Sequence, residues 1–125
     1  MHPLNLLAAG ALALSLSHAA FALDCDPSAG QKVFQTKCSA CHALDSDRVG
    51  PHLAGVVGRP MGSVKGFTYS PALAGANAKD SWTPERLETW LTSPARMFPE
   101  TTMAFGGLRK ADERKAVLCF LQGQG

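Results

Sequence analysis

One short segment, Cys38-Ser39-Ala40-Cys41-His42, places two thiols and an imidazole close together. Two cysteines separated by two residues lie on one side of a turn, so both thiols can add to the two vinyl groups of a single haem. The imidazole that follows can then bind the haem iron as its proximal ligand. The segment therefore predicts one covalently attached haem c, held by Cys38 and Cys41, with His42 on the metal.

Other uses of a Cys-x-x-Cys pair fit this chain less well. A thioredoxin-like redox pair needs a β-α-β context, and the sequence shows no strand-like alternation of apolar residues. A structural zinc site needs a second pair of ligands, and Cys25 and Cys119 lack the spacing for one. A simple disulfide between Cys38 and Cys41 would leave His42 without a role. Haem attachment is the interpretation that uses all three residues.

The second ring nitrogen of His42 needs a hydrogen-bond acceptor, because that bond fixes the tautomer of a metal-binding imidazole. A Gly50-Pro51 pair follows soon after in the sequence. Pro51 has a backbone carbonyl but no N–H donor that could compete. We therefore expect the Pro51 carbonyl to accept the hydrogen bond.

The first 22 residues have the pattern of a cleaved export signal. Residues 4–16 form a largely apolar run, and an Ala-x-Ala motif at 20–22 suits cleavage by signal peptidase. The run is too short to span a bilayer comfortably, which disfavours a membrane anchor. We therefore expect a periplasmic protein whose single mature domain covers residues 23–125 and begins at or near Leu23.

Length and composition indicate one small domain with long loops. The chain has 125 residues, of which eight are proline and twelve glycine, and such a content of helix breakers leaves little room for long helices. The formal net charge is +2, with no run of Lys or Arg. The charge pattern therefore gives no reason to expect a nucleic-acid partner.

The predicted secondary structure is all-α. A capping side chain followed by proline marks the start of a helix at Asp26-Pro27, Ser70-Pro71 and Thr83-Pro84. Together with the apolar spacing and the later helix breakers, these signals predict helices over about 27–38, 71–78, 84–93 and 110–122. Residues 43–69 and 94–109 are expected to be irregular.

Further motifs follow the haem segment in a fixed order. They are GPHLAGVVGR at 50–59, FTYS at 67–70, a tryptophan at 82 and PETTMAF at 99–105. This order resembles the class I cytochrome c family, close to the bacterial c2 and c550 type, over most of the mature chain. The resemblance implies the class I cytochrome c fold, with four or five short helices and long loops wrapped around one covalent haem c.

The resemblance places the sixth iron ligand at Met103, because this residue stands in the family's ligand loop with Phe105 just beyond it. Met61, Met97 and His52 are the other candidates. The two methionines are expected to pack in loops or at the surface, and His52 is expected to lie on the proximal side of the haem.

The resemblance also implies four residues that hydrogen-bond or neutralise the haem propionates: Arg59, Tyr69, Trp82 and Thr101. Propionates buried without donors or positive charge would be costly. For Trp82 and Tyr69 the alternative is simple core packing, although each ring has a polar tip and can serve both purposes. Trp90 falls where the family usually has a tyrosine beside the methionine ligand.

Cys25 and Cys119 lie outside the family pattern. The resemblance implies that the first and last helices cross at Gly30, Phe34 and Phe120, which would bring the two cysteines near each other. Because exported proteins generally use their cysteines in bonds, we expect a disulfide between them. The alternative is that Cys119 is a small buried apolar residue and Cys25 is free or forms a dimer.

The function implied by the resemblance is that of a monomeric carrier of single electrons, and not of an enzyme, because both axial positions on the iron are filled. Redox partners, a reductase and an oxidase, would dock transiently at the haem edge, without stable membrane insertion. The basic residues expected around that edge are Lys32, Lys37, Arg96, Arg109 and Lys110. Two alternatives stay open: a five-coordinate haem c protein that binds or senses a ligand, and a haem subunit of an oxidoreductase.

Overall fold

The structure, a computed structural model, describes residues 25–76 and 79–125 together with Gly10. The predicted signal peptide and its cleavage next to Leu23 therefore lie outside the described residues, apart from Gly10. Within the described part, no helix is both long enough and apolar enough to cross a membrane.

The described residues form short helices joined by long loops. The helices are α1 (Pro27–Val33), a π-helical turn that continues it (Phe34–Cys38), α2 (Pro71–Ala76), α3 (Pro84–Thr92), α4 (Pro94–Met97) and α5 (Ala111–Gln122). An isolated β-bridge joins Pro60 to Ser81, and the described ranges contain no strand. The prediction of an all-α chain is confirmed for these residues.

Capping side chains fix where α1 and α3 begin. Asp26 accepts a hydrogen bond from the N–H of Ser28 at 2.9 Å, and Thr83 accepts one from the N–H of Arg86 at 3.2 Å. Each cap satisfies a donor of the first turn, and the proline that follows lacks the N–H that would otherwise need a partner. The starts of both helices therefore lie where the sequence predicts them.

Helix α4 is a correction to the predicted irregular stretch over 94–109. Pro94 ends α3, as expected, but it also begins a further helical turn, closed by the N–H of Phe98 on the carbonyl of Pro94 at 2.9 Å. A proline is tolerated at a first helical position, so one residue both stops the preceding helix and starts the next. The remainder of the stretch is irregular up to Lys110.

Helices α1 and α5 cross at a close contact. A Cβ added to Gly30 would overlap the backbone carbonyl of Ala116, so only glycine allows this approach. One turn further along, the rings of Phe34 and Phe120 pack with their centroids 5.6 Å apart. The Cys25–Cys119 disulfide joins the residue two positions before α1 to the last turn of α5. The start of the described domain is thereby fixed to its last helix.

A second aromatic group packs between α3 and the loops around it. The Trp82 and Trp90 rings have centroids 5.3 Å apart, and the Phe98 ring centroid lies 6.0 Å from that of Trp90. Beyond α4, the chain returns to α3 through a hydrogen bond from the N–H of Leu108 to the carbonyl of Leu91 at 2.7 Å. Residues 98–108 therefore form a loop held at both ends, and this loop carries Met103.

Candidate functional site

The π-helical turn determines how the Cys38–His42 segment leaves α1. The N–H of Ser39 bonds to the carbonyl of Phe34 at 2.9 Å, five residues back, and the N–H groups of Cys41 and His42 then both bond to the carbonyl of Cys38. Such wide turns within α-helices are frequent at functional sites. The result is a tight turn that holds both thiols and the imidazole in one short stretch of backbone.

Both cysteines of this turn are free thiols, with Cys38 half-buried and Cys41 exposed. Burial raises the pKa of the Cys38 thiol to about 11, so the thiol is protonated at neutral pH. A redox-active Cys-x-x-Cys pair depends on a lowered thiol pKa. The raised value at Cys38 therefore disfavours a thiol–disulfide function for the pair.

The His42 imidazole is buried and has a defined orientation. Its Nδ1 lies 2.7 Å from the carbonyl oxygen of Pro51. Burial lowers the pKa of His42, although the hydrogen bond to Pro51 acts in the opposite direction. Because a carbonyl can only accept, the neutral ring carries its proton on Nδ1 and a lone pair on Nε2. Among the described residues Nε2 has no hydrogen-bond partner, so it is available to a metal.

The loop that follows the Cys38–His42 turn is hydrogen-bonded to the backbone of that turn. The N–H of Gly50 bonds to the carbonyl of Cys41 at 2.8 Å, and the guanidinium of Arg48 donates to the carbonyl of Ser39 at 2.8 Å. A Cβ on Gly50 would overlap the ring of His42, so the backbone itself packs against the imidazole. This close approach places the neighbouring Pro51 carbonyl at Nδ1.

The structure brings together two of the four residues expected at the propionates, Arg59 and Trp82. Backbone hydrogen bonds pair residues 58 and 59 with Trp82, including one from the N–H of Trp82 to the carbonyl of Arg59 at 2.8 Å. The half-buried guanidinium of Arg59 donates to the carbonyl of His52 at 2.9 Å. Burial lowers the pKa of Arg59, and the interaction with Tyr69 acts in the opposite direction. The Tyr69 hydroxyl itself accepts a hydrogen bond from the N–H of Val64 at 3.1 Å.

Ser70 is a candidate site residue that the sequence did not indicate. It is only 3% exposed, and its hydroxyl has no hydrogen-bond partner among the described residues. Buried hydroxyl groups are nearly always paired, so this one calls for a partner that the polypeptide does not supply. The available signal was its place directly after Tyr69 in the FTYS motif.

The loop over 98–108 carries the fourth of these residues and the candidate sixth ligand. The Thr101 hydroxyl accepts from the N–H of Met103 at 3.2 Å, and the N–H of Phe105 bonds to the carbonyl of Met103 at 2.9 Å. Met103 is half-buried against the core, whereas Met61 is 1% exposed within it. Met97, also half-buried, follows α3 in the short helix α4.

Trp90 and His52 are the two remaining candidate site residues. The Trp90 indole is buried and packs against the rings of Trp82 and Phe98. His52 is bound through Nδ1 to Asp47 at 2.7 Å and belongs to the loop that holds His42. Its position on the proximal side of the haem stays a prediction.

Comparison with known proteins identifies the family. The cytochrome c family pattern matches residues 27–124, which is most of the chain. The chain belongs to the cytochrome c family.

Three relatives show how far this membership extends. The cytochrome is 43% identical over 106 residues to cytochrome c-550 of Ancylobacter novellus, covering 79% of this chain and 98% of that protein. It is 45% identical over 97 residues to the cytochrome c-type cyt cy of Rhodobacter capsulatus, covering 77% of this chain but only 48% of that longer protein. Among solved structures, cytochrome cH from Methylobacterium extorquens superposes with a TM-score of 0.73 at 33% identity, covering 78% of this chain and 98% of that one. The prediction of the class I cytochrome c fold is confirmed.

Members of this family bind one covalent haem c, and the residues of this cytochrome fit that cofactor. Cys38 and Cys41 are unbonded thiols in one turn, as two thioether bonds require. Nε2 of His42 has a lone pair that would suit the iron, and the unpaired hydroxyl of Ser70 is a buried donor that would suit a carboxylate of the cofactor. Described residues contain no cluster of three His, Cys, Asp or Glu side chains that could hold a metal without the porphyrin.

Proposed function

We propose that this cytochrome is an exported, periplasmic electron carrier whose haem iron is bound axially by His42 and Met103. The observation that carries the proposal is the imidazole of His42, which is buried, neutral and fixed through Nδ1 to Pro51, so that Nε2 keeps a lone pair that could bind a metal. Membership of the cytochrome c family supports the coarser statement that the chain carries electrons on one haem.

When bound, the haem supplies an iron that alternates between the ferric and ferrous states. The role of the polypeptide is to hold its ligands still during that change. The hydrogen bond from His42 to Pro51 fixes the ring orientation, and the bond from Met103 to Thr101 fixes the loop that presents the thioether. A soft thioether ligand favours the ferrous state and raises the reduction potential. Such a site suits electron transfer and leaves no open position for a substrate.

We further propose that redox partners dock beside the Met103 loop. A hollow of about 330 Å³ lies between the π-helical turn after α1 and the start of α5, and Phe105 forms part of its wall. Three exposed cations, Lys37, Arg109 and Lys110, surround it, with one carboxylate, Glu113. A surface of this charge suits a small, transient contact with an acidic partner.

Export would precede haem attachment in this proposal. The leader pattern over 1–22 and the disulfide between Cys25 and Cys119 both suit an oxidising compartment, where a monomeric domain over 23–125 would remain. Two measurements on the secreted protein test this step. Its N-terminal sequence is expected to begin at or near Leu23, and its mass to equal that chain plus one haem. A mature chain that keeps residues 1–22 would contradict it.

The axial ligand is tested by replacing each methionine in turn. Ferric wild-type protein is expected to show the weak red charge-transfer band of a methionine–iron bond, and Met103→Ala is expected to abolish it. Met97→Leu and Met61→Leu are the matched controls, because each removes a thioether while preserving an apolar side chain. Loss of the band in either control, with its retention in Met103→Ala, would contradict the assignment.

A further inference from the structure

One peptide group beside His42 is hydrogen-bonded at both of its ends. Its carbonyl, on Pro51, lies 2.7 Å from Nδ1 of His42. Its N–H belongs to His52 and donates to Oδ1 of Asp47 at 2.9 Å. Because a peptide group is planar and conjugated, the carboxylate of Asp47 is connected to the imidazole of His42 through a single rigid unit.

A second hydrogen bond holds Asp47 in this position. Nδ1 of His52 lies 2.7 Å from the same Oδ1, and the two side chains are 35% and 36% exposed. The backbone and ring hydrogen bonds from His52 lower the pKa of Asp47, and the positive charge of Arg59 acts in the same direction. Asp47 is therefore a carboxylate at neutral pH, and a single oxygen of it serves both donors.

The backbone carbonyl of His52 is hydrogen-bonded as well. The guanidinium of Arg59 donates to the carbonyl of His52 at 2.9 Å. The N–H of His52 is thus held by Asp47 and its carbonyl by Arg59. Two ionised side chains of opposite charge fix the backbone that follows Pro51, which limits how far the Pro51 carbonyl can move from His42.

We propose that Asp47 is a positioning residue for His42, acting through the Pro51–His52 peptide group to strengthen the hydrogen bond that His42 donates to Pro51. Hydrogen bonds in a chain polarise one another, and a bond to a carboxylate is stronger than one between neutral groups. A more strongly bound Nδ1–H makes Nε2 a more basic ligand. A more basic ligand favours the ferric state, so Asp47 lowers the reduction potential. This inference rests on the function proposed above, in which His42 binds the iron.

The test compares Asp47→Ala and Asp47→Asn with the wild type, all as haem-loaded protein. One measurement is the exchange rate of the His42 Nδ1 proton with solvent, by NMR of the ferrous state, and the other is the reduction potential. In Asp47→Ala we expect exchange to be about tenfold faster. We also expect the ratio of oxidised to reduced protein at a fixed applied potential to fall about threefold. This corresponds to a rise of roughly 28 mV in the reduction potential, because a tenfold change in the ratio equals 59 mV for one electron. Asp47→Asn keeps an acceptor oxygen without the charge, so intermediate values are expected.

Two control variants test whether the effect of Asp47 comes from positioning, rather than from its charge alone or from its contact with the His52 ring. Asp45→Ala removes the same charge from an exposed position two residues earlier, and it is expected to leave proton exchange unchanged. His52→Ala removes the ring but retains the N–H that bonds to Asp47, so its effect is expected to be smaller than that of Asp47→Ala. Proton exchange at the wild-type rate in Asp47→Ala, or the same potential in Asp47→Ala and Asp45→Ala, would overturn the proposal.

The outcomes also separate this inference from the proposed function. A wild-type protein without the red charge-transfer band refutes the axial ligation, whatever Asp47 does. A wild-type protein with that band, but with no change in proton exchange in either Asp47 variant, refutes only the positioning role. Should Asp47→Ala fail to fold, Asp47→Asn decides the question by the same two measurements.

Discussion

The Cys25–Cys119 disulfide is expected to contribute a large part of the stability of this cytochrome. It closes a loop with a sequence separation of 94 residues across the α1–α5 helix pair. In the chain-entropy model, a loop of this size restricts the unfolded chain by about 4 to 5 kcal/mol of free energy. Folded domains are typically stable by about 5 to 15 kcal/mol, so the loss of this bond should be readily measured.

The perturbation is the double variant Cys25→Ser/Cys119→Ala, which cannot form the bond. Unfolding of the haem-loaded protein by guanidinium chloride is followed through its helical circular dichroism. With a denaturant slope of roughly 2 to 6 kcal/mol per molar, the midpoint is expected to fall by about 0.7 to 2.5 M.

Reduction of the wild type by a dithiol is the matched control, because it breaks the bond and keeps both sulfur atoms. The reduced wild type is expected to lose nearly as much stability as the double variant. If both lose less than about 1 kcal/mol, the reasoning from loop closure is refuted. If only the variant loses stability, the effect comes from side-chain packing at position 119 and not from the bond.

Two further predictions concern local contacts. Gly50→Ala is expected to displace the ring of His42, because the new Cβ would overlap it, and thereby to weaken the red charge-transfer band. Gly75→Ala is the control: its Cβ would meet open space, so the band is expected to stay unchanged. Hydrogen bonds from Ser28 lower the pKa of Asp26, so the stability that this helix cap contributes is present above about pH 4 and lost as the pH falls further. The difference in thermal midpoint between wild type and Asp26→Ala should therefore shrink as the pH is lowered below 4, and a constant difference would contradict this.

Structural features that depend only on residues close together in the sequence could be predicted. Asp26 and Thr83 mark the starts of α1 and α3 because a capping side chain acts on the backbone two or three residues ahead. The hydrogen bond between His42 and Pro51 could be anticipated for a similar reason, since the only requirement was a nearby carbonyl without a competing donor. In each case the chemistry of a few neighbouring residues decides the outcome.

Features that depend on the path of the loops could not be predicted. The π-helical turn at Phe34–Cys38 inserts one residue per turn without any distinctive residue type. The contact between Asp47 and His52 depends on how a single loop turns back on itself, and the burial of the Ser70 hydroxyl depends on what packs around the start of α2. Helix α4 was missed because Pro94 was interpreted only as a stop signal, although a proline equally suits the first turn of a helix.

The central proposal is that both axial positions of the haem iron are occupied, by His42 and by Met103. Binding of carbon monoxide tests it most directly. The gas is added to untreated ferrous protein, and binding is followed by the change in the haem absorption spectrum. The wild type is expected not to bind it, because Met103 fills the sixth position, whereas Met103→Ala is expected to bind it readily. Tight binding to the wild type would contradict the proposal and favour a five-coordinate haem protein that binds or senses a ligand.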